Sequence, residues 1–167
     1  MSALDPIIHE RHARALNAQL AALRREPDVI AAHLQGSVTR GDAHPGSDLD
    51  FLVVLADDRP SAFRHALVDG VRVEQHRVSV PTLRAKLHRR PGLACGLVEA
   101  RCLFDRAGVV PALRDHAQRV LASYAPDARE RARLAYWLWT AAEKVEAARE
   151  GADWLRASLI PRRRCGR

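Results

Sequence analysis

The stretch that most constrains this chain is residues 36 to 56, GSVTRGDAHPGSDLD followed by FLVVLA. An acid pair, Asp48 and Asp50, runs directly into an unbroken apolar segment. On a strand, residues two apart point to the same side. The segment therefore predicts a buried strand over Leu49 to Ala56 that shows two carboxylates together at its start and Leu49 to the other face. Two acids on one face repel unless a cation offsets them, and unpaired charge beside a buried run is costly. The bland alternative is a loop through Gly46-Ser47-Asp48 with a solvated acid pair. Upstream, Gly36 admits a close approach to the backbone, and Ser37 adds a hydroxyl and an amide at the start of a helix, where N–H groups favour anions. Gly41 suits a tight turn.

The surrounding pattern places this segment in an α+β domain. Ile8, Ala13, Leu16, Leu20 and Leu23 recur at helical spacing over residues 6 to 24, with Asp5 as N-cap and Pro6 at the first helical position. Val29 to Leu34 reads as a short buried strand. Asp69-Gly70 between Arg64–Val68 and Val71–Val80 is a hairpin signal, because both central residues of such a turn need positive φ. Glu74, in the middle of the second hairpin strand, alternates with Val71 and Val73. It is the candidate third carboxylate, as metal ligand, general base or both; an exposed acid on a hairpin face is the alternative. His76 shares its side and reads as surface. A short helix from Pro81 to Leu87, a helix or strand over Leu97 to Phe104, a turn at Asp105–Gly108, and helices over Val110–Ser123 and from Pro126 to Gly151 complete the outline.

The chain of 167 residues predicts one catalytic domain, 1–125, a helical segment, 126–160, and a basic tail, 161–167. The formal charge is +7, but four arginines lie in the last six residues. The remaining cations are interleaved with acids and carry few aromatics for base stacking, which argues against nucleic acid as partner. Three cysteines without Cys-x-x-Cys spacing suggest neither disulfides nor zinc, and a cytoplasmic setting is the simplest expectation. The longest dense apolar run is too short to span a membrane as a helix. Arg40 either binds phosphate or pairs with Asp42. Only two of 27 basic residues are lysines, and Lys144, on a helix near Trp137 and Thr140, is a candidate phosphate contact if it does not simply pair with Glu143 or Glu146. Trp137, Trp139 and Trp154 read as core or interface, and an apolar side running to Ile160 suggests a homodimer.

The run Gly36-Ser37-x-x-x-Gly41, then Ser47-Asp48-x-Asp50 before an apolar strand, with a later acid on a strand, resembles the DNA polymerase beta-like nucleotidyltransferase superfamily. The small bacterial branches are most similar: aminoglycoside and lincosamide nucleotidyltransferases, and minimal nucleotidyltransferases paired with helical toxin partners. The resemblance implies a mixed sheet with flanking helices and C-terminal helices, ATP or another nucleoside triphosphate as co-substrate, two magnesium ions, and pyrophosphate as product. By the same resemblance Gly36 and Ser37 match the phosphate-binding pair, Asp48 and Asp50 the metal-binding pair, and Glu74 the third carboxylate. The expected reaction moves a nucleoside monophosphate, AMP first, to a hydroxyl of a small molecule, an antibiotic-like one among the options. The alternatives are modification of a protein partner and a nucleotide-binding or interaction module without turnover.

Overall fold

Strand β2 (Leu49–Leu55) lies in the middle of a five-stranded sheet, where its apolar run is covered on both faces. The structure is a computed structural model that describes residues 10–41 and 43–149, without the side chains of residues 144, 145 and 147–149. It divides into two units, residues 1–124 and 125–167.

In the first unit, helix α1 (Glu10–Arg25) leads into β1 (Val29–Gln35), the short helix α2 (Ser37–Arg40) and β2. The hairpin follows, β3 (Ala62–Val68) and β4 (Val71–Ser79), then α3 (Val80–Arg89), α4 (Leu93–Glu99), β5 (Arg101–Asp105) and α5 (Val110–Ala122). The sheet order is β3-β4-β2-β1-β5. β2 pairs antiparallel with β1 and parallel with β4, so the sheet is mixed. Asp69 at φ 51 and Gly70 at φ 74 make the turn that joins β3 to β4. This is the left-handed geometry that Asp-Gly adopts most readily. Ser79 caps α3, its hydroxyl accepting from the Thr82 amide, with Pro81 within the first turn.

Each sheet face has its own core. Leu49, Phe51, Val53 and Leu55 of β2 join Leu34, Val71 and Val73 and are covered by Ala15, Leu16 and Leu23 of α1 and Val38 of α2. Leu52 and Val54 face the other way with Val78, under Leu83 and Leu87 of α3, Ala94 and Leu97 of α4, and Leu113 and Ala117 of α5. Burial of such side chains contributes roughly 1.5–3 kcal/mol each. His33 of β1 is fully buried, neither ring nitrogen has a hydrogen-bond partner, and burial, then Arg114, push its pKa from 6.5 to about 4.

The apolar stretch at Leu97 is divided between the end of α4 and the start of β5, because Ala100 turns extended between them. The predicted N-cap at Asp5 and Pro6 lies outside the described residues, as do Asp42, Trp154 and the segment to Ile160. In the second unit α6 spans Ala128–Arg149, and Leu134, Tyr136, Trp137, Leu138 and Trp139 are all exposed. No described helix is long and apolar enough to cross a membrane.

Candidate active site

The parallel pairing of β2 with β4 sets Asp50 opposite Glu74, although 24 residues separate them in the chain. Both side chains are half-buried and lie on the face that carries Leu52, Val54 and Val78. Burial first, then the charges of Asp48 and Glu74, hold the Asp50 carboxyl above its ordinary pKa, while Arg40 and Arg72 pull it back. Asp50 thus feels both neighbouring acids. Asp48 is steadied by Arg72, whose Nη2 lies 3.5 Å from its Oδ2, and His65 Nδ1 stands 3.5 Å from Glu74 Oε1.

Gly36 closes over this pair. It caps α2 at φ 79, and a Cβ added to it would lie 2.4 Å from Asp50 Oδ2. A side chain there would have to displace the Asp50 carboxylate, and the positive φ favours glycine. Thr39 Oγ1 donates to the Gly36 carbonyl at 2.8 Å, and the Gly41 amide to the Ser37 carbonyl, which fixes the turn. The loop that delivers Asp48 is held by α1: Arg11 donates to the Pro45 carbonyl, and His12 Nε2 lies 2.8 Å from the Ser47 carbonyl oxygen. His44 belongs to that loop, its ring accepting from the Gly46 amide.

A cleft of about 760 Å³ opens beside the pair, with Gly36, Asp50, Glu74, His76, Lys86 and Arg90 in its wall. Ser37 and Asp48 adjoin it without lining it. Arg40 is exposed, and its charge is felt at Asp50. Lys144 stands on α6 in the second unit, its side chain outside the description.

His76, read from sequence as a surface residue, is instead half-buried in the cleft wall. Its ring stacks on Phe63, 4.7 Å between centroids with planes 10° apart, and its Nε2 lies 2.8 Å from Lys86 Nζ. Burial, then Lys86, lower its pKa to about 4, so the ring is neutral and accepts from the ammonium. Sequence reasoning passed over Lys86 and Phe63. The scarcity of lysine, one of two in the chain, was the signal that pointed to the first of them.

An all-oxygen donor set of neighbouring carboxylates suits a hard divalent cation such as magnesium. The fit is one of charge and chemistry: among the described residues no three His, Cys, Asp or Glu side chains are grouped to hold an ion, Arg72 and His65 standing against Asp48 and Glu74.

Residues 16–93 match the family of nucleotidyltransferase domains. Among solved structures, a nucleotidyltransferase-like protein from Exiguobacterium sibiricum 255-15 is similar, with a TM-score of 0.51 and 17% identity over 62% of this chain. The similarity spans 37% of that protein's own chain and bears on the fold alone. No curated protein matches this chain.

Proposed function

From the match of residues 16–93 to the nucleotidyltransferase domain family, we propose that the chain is a nucleotidyltransferase of the polymerase beta-like superfamily that moves AMP from ATP to a hydroxyl of a small molecule, with magnesium. The observation that carries this reading is the alignment of Asp50 with Glu74, with the backbone of Gly36 packed so close to Asp50 that an added Cβ would displace its carboxylate.

In this reading Asp48, Asp50 and Glu74 would hold the metal, which when bound neutralises the phosphates and the charge that develops on the leaving group. Gly36 and the Ser37 amide and hydroxyl seat the β- and γ-phosphates, and Arg40 adds positive charge at that end. Glu74 accepts the proton of the acceptor hydroxyl. The hydroxyl oxygen then bonds to the α-phosphorus, the bond from that phosphorus to the bridging oxygen breaks, and the electron pair leaves with pyrophosphate. The raised pKa of Asp50 supports the assignment, since carboxylates set to repel one another are poised for a cation.

Calorimetric titration of ATP with and without magnesium tests this. We expect magnesium-dependent binding that Asp50→Asn abolishes. Failure to bind ATP, GTP, CTP or UTP with magnesium would sink the reading in favour of a scaffold without a nucleotide site.

A further inference from the structure

The cleft has a second, oppositely charged end. Lys86 and Arg89 on α3 and Arg90 at its C-cap line it, and none of the three forms a salt bridge among the described residues. Other cations of the same unit are held by acids: Arg72 by Asp48, Arg77 by Glu26, Arg59 by Asp28. Lys86 is oriented but not neutralised. Its Nζ donates to Ser61 Oγ at 2.6 Å and lies 2.8 Å from His76 Nε2, which leaves one of three N–H bonds for another acceptor. Burial, then the charges of Arg90 and Arg89, lower its pKa. Lys86 therefore feels two like charges beside it, a cost that an incoming anion offsets.

The sheet register says which substrate meets this end. Gln35 pairs with Asp50, so Gly36 and Ser37, which follow it, lie toward Asp48. His76 pairs with Leu52, one step along the same face on the other side of the Asp50–Glu74 level. Phosphoryl transfer runs with the attacking and leaving oxygens roughly in line through phosphorus. If pyrophosphate leaves at the Gly36–Ser37 end, the acceptor enters from the end that holds His76 and Lys86.

We propose that Lys86, Arg89 and Arg90 form a subsite for a phosphate group on the acceptor, so that the molecule receiving the nucleotide is a phosphorylated hydroxyl compound and not a polycationic one. This rests on the nucleotidyl-transfer reading of the carboxylate end. A three-cation wall prefers a dianion to a carboxylate and repels amino sugars.

The test uses the whole chain saturated with magnesium and α,β-methylene-ATP, titrated with inorganic phosphate and, separately, acetate, followed by calorimetry. Phosphate is expected to bind the loaded protein, acetate to bind much more weakly. Lys86→Met and, at an exposed position that spares the fold, Arg90→Gln are each expected to weaken phosphate by about tenfold, with analogue affinity unchanged. Phosphate binding that the analogue displaces would assign the cations to the donor and overturn the proposal. So would phosphate affinity unmoved by either substitution, or acetate bound as tightly. Absence of analogue binding to the unaltered chain overturns the transfer reading itself, and the acceptor assignment with it.

Discussion

The two faces of the sheet are built from the same strands and serve opposite ends. The face under α1 is sealed by aliphatic side chains, Leu16, Leu23, Leu34, Leu49 and Val53 among them. The face under α3, α4 and α5 is apolar at Leu52, Val54 and Val78 but polar at His33, Gln35, Asp50, Glu74 and His76. Along β2 the contrast changes residue by residue, with Leu49 fully buried between the half-buried Asp48 and Asp50. Both faces bury an apolar core, but the open face also carries half-buried carboxylates and the unpaired ring of His33, which cost stability.

Leu49→Ala should give the largest effect, a loss of about 2–5 kcal/mol, with magnesium–ATP affinity kept. Urea unfolding and calorimetry together check it, and loss of nucleotide binding in a folded variant would break the division between faces.

His33 tests the other face through pH. Its folded pKa, about 4, lies below its ordinary 6.5, so the unfolded chain takes up the proton first as pH falls. Stability held above 6.5 is lost between 6.5 and about 4, by about 3 kcal/mol. His33→Leu should flatten that stretch of the melting-temperature profile; an unchanged slope would remove His33 from the account.

Gly36→Ala should cost about 1–3 kcal/mol from the strained backbone and also lose magnesium–ATP binding, because the added carbon meets Asp50 Oδ2. A variant that folds and binds as before would show that the close approach is not required. Asp50→Asn carries the smallest expected stability effect and the opposite sign. The folded pKa of Asp50 is raised, so its contribution is favourable at acid pH and lost as pH rises through that raised value. A neutral amide removes the repulsion, and melting at neutral pH should rise slightly while nucleotide binding goes. A fall in melting temperature would mean that Asp50 stabilises the sheet in its own right.

What could be read in advance was local. Gly36, Asp48 and Asp50 fall within fifteen residues, and their spacing needs no knowledge of the tertiary structure. The turn at Asp69-Gly70 was legible because its backbone angles restrict the residues that adopt them. Glu74 was placed on its strand, but its partner was not, since parallel pairing with β2 is a long-range choice that no short window contains. Lys86, His76 and Phe63 meet only because α3 folds back beside the hairpin. His33 stands in an apolar strand whose pattern carries no sign of an unpaired ring. Lys144 and Lys86 are equally rare as lysines, and it is Lys86 that lines the cleft.

The register of β2 against β4 has one more consequence. Neighbouring strands run about 4.8 Å apart wherever they share a hydrogen-bond ladder, so the gap across which Asp50 faces Glu74 is gauged by the backbone, like rails fixed to their sleepers. Residues along β3 and α3 can be exchanged without altering that gauge, because neither of the two strands that set it has to be re-laid.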